Sequence, residues 1–199
     1  ADPAFEGGPF ATVYLSPSDY HRVHLPLAGR LVRTVAIPGK LFSVNATTEA
    51  GVHGLFAVNE RLVCQFETDA GRMLVVLVGA MIVASIETVW GGPASPYRER
   101  VVTEHDQAFE TGAEIGRFLL GSSVVLAFER GAAGLDVARG DVLRMGQRIG
   151  TSFTIATSTS GFQSDVFALA DGNAAVVWGD GGDLHVRHYG TDGQPVGTE

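Results

Sequence analysis

The chain has 199 residues, 45% of them hydrophobic and 18% charged, which is enough apolar material for a packed domain and too little charge for a disordered one. A formal net charge of −8 argues against nucleic-acid binding, because phosphate contacts need a basic surface. A lone cysteine, Cys64, excludes an intrachain disulfide and a Cys-based zinc cluster, and a lone lysine, Lys40, is the only position open to lysine-based carrier or Schiff-base chemistry.

In chain order the text is strand-like. The opening ADPAFEGGPF has neither the basic nor the apolar region of a signal peptide, and a start without Met suggests a fragment. FATVYLS reads as a first strand. Ser16, Pro17, Ser18 and Asp19 then form a turn or N-cap signal ahead of His21 and His24. A one-turn helix there sets both imidazoles on one face, with Asp19 at its start, and an imidazole oriented by a carboxylate suits a general base. The competing reading is a pair of surface or capping histidines. Zinc is weaker still, because this spacing needs further ligands that His53 and His105 are not obviously placed to supply.

RLVRTVAI is the next strand. Residues 47–63 carry one of two helical candidates, weakened by Gly51 and Gly54. RLVCQFET reads as a strand that buries Cys64 as an inert thiol. The longest apolar run, MLVVLVGAMIVASI, covers residues 73–86. It is short of the roughly 20 residues a bilayer span requires. Its β-branched content and Gly79 predict two consecutive buried strands instead. A second helical piece is expected around 110–117, overlapping the strand-like EIGRFLLGS, and SVVLAFER closes this series.

Between those last two runs stands Gly121-Ser122-Ser123. It can be a turn, a nucleophile, or a bond meant to break. The surrounding text lacks G-x-S-x-G, so a hydrolase elbow is not supported. Residues 134–150, GLDVARGDVLRMGQRIG, have the rhythm of a barrel-sandwich carrier domain but contain no lysine to modify. The Ser/Thr-rich stretch 151–160 reads as a linker. Residues 161–199 carry Asp-Gly and Gly-Asp pairs, best read as hairpin turns, and resemble a single repeat of large secreted bacterial adhesins. His53, His105, His185 and His188 are read as structural, and Glu60 and Arg61 as turn or salt-bridge residues. The whole predicts a mainly β, sandwich- or barrel-like domain over 1–150 with few short helices, a linker over 151–160 and a small β-rich appendage over 161–199.

The runs ATVYLSPSDYHRVHLPLAGRLVRTVAIPGKLFSVN, LFAVNERLVCQFET, VGAMIVASIETVWGG, EIGRFLLGSSVVLAFERG and GQRIG resemble the phosphatidylserine decarboxylase family, in order, from about residue 4 to about residue 150. The resemblance implies a self-processing proenzyme. Ser122 attacks the Gly121 carbonyl, the ester is eliminated, and the chain divides into a β chain ending at Gly121 and an α chain beginning with a pyruvoyl group made from Ser122. His24 matches the family's processing base and His21 the histidine of the decarboxylation step. Asp19 matches another family aspartate. The implied cofactor is the pyruvoyl group, which captures the amine of phosphatidylserine and serves as electron sink as CO₂ leaves. Implied partners are phosphatidylserine, an anionic phospholipid surface, the two chains of one precursor and a second copy in a homodimer. The implied location is peripheral, on the cytoplasmic face of a bacterial inner membrane. The family's triad aspartate, which stands well upstream in an Ala-Asp-Gly context, and its amphipathic N-terminal helices have no counterpart in these 199 residues. The alternative reading is a non-catalytic β domain of the same family fused to a binding or adhesion module.

Overall fold

The computed structural model describes residues 2–44, 48, 51–80, 86–119 and 122–152, and beyond these the backbone of residues 165–168, 174–180, 183–189 and 195–196. The expected mainly β fold is observed: the elements are antiparallel strands with few, short helical turns. Two compact units are formed, one from residues 10–68 and 72–127, the other from residues 1–9, 69–71 and 128–199.

In the first unit, β1 (Phe10–Tyr14), β3 (Gly29–Ile37), β4 (Arg61–Thr68), β5 (Gly71–Val78), β7 (Val101–Phe109) and β9 (Ser123–Phe128) form a six-stranded sheet in the order β1-β9-β5-β4-β3-β7. A second sheet has three strands in the order β2-β8-β6, from Arg22–His24, Glu114–Phe118 and Ile86–Thr88. The period-2 pattern sets the core. On β4 Leu62, Cys64 and Phe66 are buried, and on β5 Met73, Val75 and Leu77. On β3 the buried positions run Leu31, Thr34, Ala36, because a bulge between Leu31 and Arg33 shifts the alternation by one residue. Each such Leu, Met or Phe contributes about 1.5–3 kcal/mol by leaving water.

Cys64 is the buried, free thiol the sequence indicates, and burial pushes its pKa up. A thiol-specific disulfide reagent is therefore expected to leave native protein unmodified and to titrate one thiol after denaturation; rapid native labelling would contradict this burial.

The two helical expectations have different outcomes. Residues 47–63 carry the expected helical character: Thr48 and Gly51 are helical, Val52 N–H donates to Thr48 O at 2.9 Å, and Leu55–Val58 form a short helix, α1, before β4 begins at Arg61. The stretch 110–117 is a turn leading into β8, not a helix, since Ile115 and Phe118 are drawn into the three-stranded sheet. Strand β7 is an addition: its burial pattern is mostly exposed, and its charges had hidden it. Residues 81–85 of the long apolar run lie outside the described residues.

In the second unit β10 (Ala133–Leu135) pairs with β11 (Gly150–Ser152). Strands β12 (Asp165–Ala168), β13 (Ala174–Asp180), β14 (Asp183–Tyr189) and β15 (Pro195–Val196) form an antiparallel meander. His185 and His188 fall on β14, opposite Trp178 and Ala175.

Candidate functional site

Two chain crossings define the site. The segment 15–21 leaves β1 in the large sheet and enters β2 in the small one, while the segment 119–122 leaves β8 in the small sheet and enters β9 in the large one. Because β1 pairs with β9 and β2 with β8, both antiparallel, the described ends of the two crossings lie side by side. Backbone hydrogen bonds tie them at both ends: Phe118 N–H donates to His21 O at 3.0 Å, and Leu15 N–H donates to Ser122 O at 2.7 Å. Residues about a hundred positions apart in sequence thus meet through ordinary ladder geometry. Gly121 lies outside the described residues.

Ser122 is 1% exposed, and its hydroxyl donates to the carbonyl of Val78. That carbonyl belongs to a tightly held peptide. The Gly79 N–H at its other end donates to Glu60 O at 2.7 Å, and Gly79 O accepts from Asn59 Nδ2 at 2.9 Å. Asn59 also clasps Phe42, donating to its carbonyl at 2.8 Å and accepting from its N–H at 3.1 Å. The approach here is close enough to require Gly39, where a Cβ would stand 2.5 Å from Glu60 N. Glu60 is 1% exposed, and its carboxylate accepts from Tyr97 N at 2.5 Å and from the Ser95 hydroxyl. Burial, and then the Glu60 charge, push the Tyr97 phenol pKa up.

His21 and His24 do not share a helical turn. Residues 22–24 form β2, with a register shift between Val23 and His24, because β8 offers a ladder that a single helical turn cannot match. The two rings are committed to different partners. His21 Nε2–H donates to Ser16 O at 3.0 Å, which leaves Nδ1 without a hydrogen bond. His24 Nδ1–H donates to Gly112 O at 2.7 Å, so its Nε2 accepts from the Tyr20 hydroxyl at 2.9 Å, and the Tyr20 ring stacks on it with centroids 5.8 Å apart. Asp19 caps no helix. Its Oδ2 accepts from Ser16 N at 2.7 Å and its own N–H donates to Ser16 O at 2.9 Å, closing a turn without touching either imidazole.

Ser122 and His21 are therefore joined through adjacent residues, Leu15 and Ser16, while His24 stands on β2 facing Gly112. Arg22 pairs with Glu114 at 2.6 Å, and that bond holds the guanidinium above its usual pKa. His105 shares a hydrogen bond of 2.9 Å with Thr34 Oγ1 and meets the edge of Trp90, in keeping with a structural role. Asn59, Tyr20 and Val78 escaped the sequence reading, and Glu60 was read there as a turn or salt-bridge residue. The one available signal was the charged pair Glu60-Arg61 inside the apolar text LFAVNERLV.

Comparison with known proteins bears on the same residues. The family model described as phosphatidylserine decarboxylase matches residues 2–151, and leaves the repeat-like reading of 161–199 without support. A phosphatidylserine decarboxylase proenzyme of Pseudomonas putida is 53% identical over 161 residues, covering 74% of this chain and 56% of the relative. One of Pseudomonas fluorescens is 52% identical over 162 residues, covering 75% and 56%. One of Acinetobacter baumannii is 57% identical over 126 residues, covering 63% and 44%. The chain spans about half the length of the curated relatives it matches.

Proposed function

Because the chain belongs to the phosphatidylserine decarboxylase family, we propose that it is the catalytic portion of a proenzyme that cuts itself at Gly121–Ser122 and then decarboxylates phosphatidylserine to phosphatidylethanolamine. The observation that carries this reading is the double tie between the two crossings, Phe118 to His21 and Leu15 to Ser122, which flanks the bond to be cut on both sides.

Ser122 Oγ attacks the Gly121 carbonyl carbon, and the acyl group passes from nitrogen to oxygen. A base removes the Cα proton of residue 122, the ester C–O bond breaks, and Gly121 leaves as a carboxylate ending the β chain. Water then replaces the nitrogen on residue 122, which departs as ammonia and leaves a pyruvoyl group at the head of the α chain. The residues present fit such a group: Ser122 is buried, and burial shields a reactive carbonyl from bulk water. When formed, the group supplies an electron sink for loss of CO₂ from an amine-bearing substrate. His24 is assigned as the base for cleavage, which requires its Nε2 to part from Tyr20. His21 is assigned to proton delivery in decarboxylation: its Nδ1 takes up a proton from water and passes it to the substrate carbon that CO₂ leaves. Asp19 shapes the turn that carries both.

Among the described residues no helix is long and apolar enough to cross a membrane. Contact with lipid is assigned to exposed apolar side chains around the crossings, Leu119 at 56% and Tyr14 and Tyr20 at 49% each. A peripheral position on the cytoplasmic face of a bacterial inner membrane, a homodimeric state and a separate module over 161–199 are part of the same proposal.

Intact-mass measurement of purified protein tests the reading. Two fragments dividing at Gly121/Ser122, the second carrying a borohydride-reducible carbonyl, are expected; one uncut chain overturns it. The histidine assignments separate in the same assay. His24→Ala is expected to remain uncut, whereas His21→Ala is cut but decarboxylates at least about 100-fold more slowly. The reverse pattern would exchange their roles.

A further inference from the structure

Ser123 is fully buried, and its Oγ has no hydrogen-bond partner. Among the described residues only Thr151 Oγ1 shares that condition, and it lies on β11 of the other unit. An unsatisfied buried hydroxyl costs about 1–3 kcal/mol and is rare enough in native proteins to require an explanation. The strand does not supply one. Ser123 opens β9 opposite Tyr14 and is followed by Val124 and Val125, so an alanine or valine would serve the ladder equally well. Nor is the site short of partners, since the neighbouring Ser122 has both its hydroxyl and its carbonyl satisfied.

Resting on the reading above, we infer that the Ser123 hydroxyl is a second functional group of the site, kept unpaired in the uncut chain so that it donates to the carbonyl generated at residue 122. Its covalent position suits that role. The cut falls on the N-terminal side of residue 122, so Ser123 stays bonded through its own amide to the residue that becomes the electrophile. A donor aimed at that oxygen polarises the carbonyl toward a substrate amine and spreads negative charge as CO₂ leaves. No new reactant is needed. The hydroxyl lends a hydrogen bond and keeps its proton.

Ser123→Ala and Ser123→Thr, compared with the unsubstituted chain, test this inference. Ser123→Ala is expected to be cut to the same extent by intact mass, yet to decarboxylate phosphatidylserine in mixed phospholipid vesicles about 100-fold more slowly. Ser123→Thr, which keeps the hydroxyl, is expected to restore turnover to within about tenfold. A second readout is independent of turnover. In chains held uncut by Ser122→Ala, adding Ser123→Ala removes an unsatisfied group and is expected to raise Tm by about 2–4 °C. Equal turnover in Ser123→Ala, failure of that variant to be cut, or a lowered Tm would each overturn the assignment. An unsubstituted chain that stays whole overturns the cleavage reading and this inference together; one that is cut, with turnover indifferent to Ser123, overturns this inference alone.

Discussion

Ser122→Ala is expected to leave the chain in one piece and to abolish decarboxylation entirely, the largest functional effect of any single substitution proposed for this protein. The alanine removes both the nucleophile that cuts the chain and the atoms from which the electrophile is made. No other side chain can substitute, because the attacking oxygen must sit on the residue immediately following Gly121. The fold should survive. Ser122 contributes one side-chain hydrogen bond, to Val78 O, and its loss with a buried acceptor left behind costs about 1–3 kcal/mol. The backbone bond from Leu15 N to Ser122 O does not depend on the side chain. The measurement is therefore a pair: intact mass, expected to show only the full-length chain after prolonged incubation, and circular dichroism with a thermal melt, expected to show a folded protein. A cleaved Ser122→Ala chain would remove Ser122 from the chemistry. Ser122→Thr retains a hydroxyl and is expected to be cut slowly, with the extra methyl crowding a site that is 1% exposed.

How much of this was legible in the sequence depends on the kind of signal. The core strands announce themselves because burial alternates with residue number: Leu62, Cys64 and Phe66 on β4, Met73, Val75 and Leu77 on β5. Strand β7 was invisible for the same reason. It ends the large sheet, most of its side chains face water, and two of its acidic residues, Glu104 and Asp106, serve ion pairs with Arg33 and Arg30 rather than a core. Periodicity detects burial, so an edge strand escapes it. The bulge on β3 is likewise a register event, unreadable without knowing that β4 and β7 flank it.

The site divides in the same way. His21, His24 and Ser122 were singled out locally, as a histidine pair behind a turn and a Gly-Ser-Ser between strands, but only the resemblance joined them, since nothing local to either stretch says that the two crossings meet. Even then the local conformation was misjudged. Asp19 followed by two histidines satisfies the rules for a helix start, but the ladder offered by β8 outweighs a single helical turn, and Asp19 closes a turn on Ser16 instead. Tyr20 was passed over because a tyrosine beside a histidine carries no signal until one sees its hydroxyl on Nε2.

Glu60 supplies the largest expected effect on stability. Its carboxylate is buried and serves Tyr97 N and the Ser95 hydroxyl. The adjacent Arg61 guanidinium bonds the carbonyls of Ala57 and Asn59, and burial holds its pKa below the usual value. Glu60→Ala strips the acceptor from two donors and leaves a void, a loss of about 3–5 kcal/mol, which lowers Tm by roughly 10 °C or more. Glu60→Gln separates charge from hydrogen bonding. Its amide oxygen can accept from Tyr97 N while its NH₂ donates to Ser95 Oγ, whose hydroxyl rotates to suit, so a loss of about 1 kcal/mol is expected. A thermal melt of both variants decides: if Glu60→Gln falls as far as Glu60→Ala, the negative charge rather than the acceptors is what the site requires. The consequence reaches Ser122. The Glu60 carbonyl holds one end of the Val78–Gly79 peptide whose other end receives the Ser122 hydroxyl, so loosening Glu60 lets the nucleophile drift from its rotamer. Glu60→Ala is thus expected to be cut more slowly even at temperatures where it remains folded, by about tenfold or more, since small misplacements of a reacting group carry costs of that order. Cleavage of folded Glu60→Ala at the unsubstituted rate would show that the Val78 carbonyl keeps its place without this support.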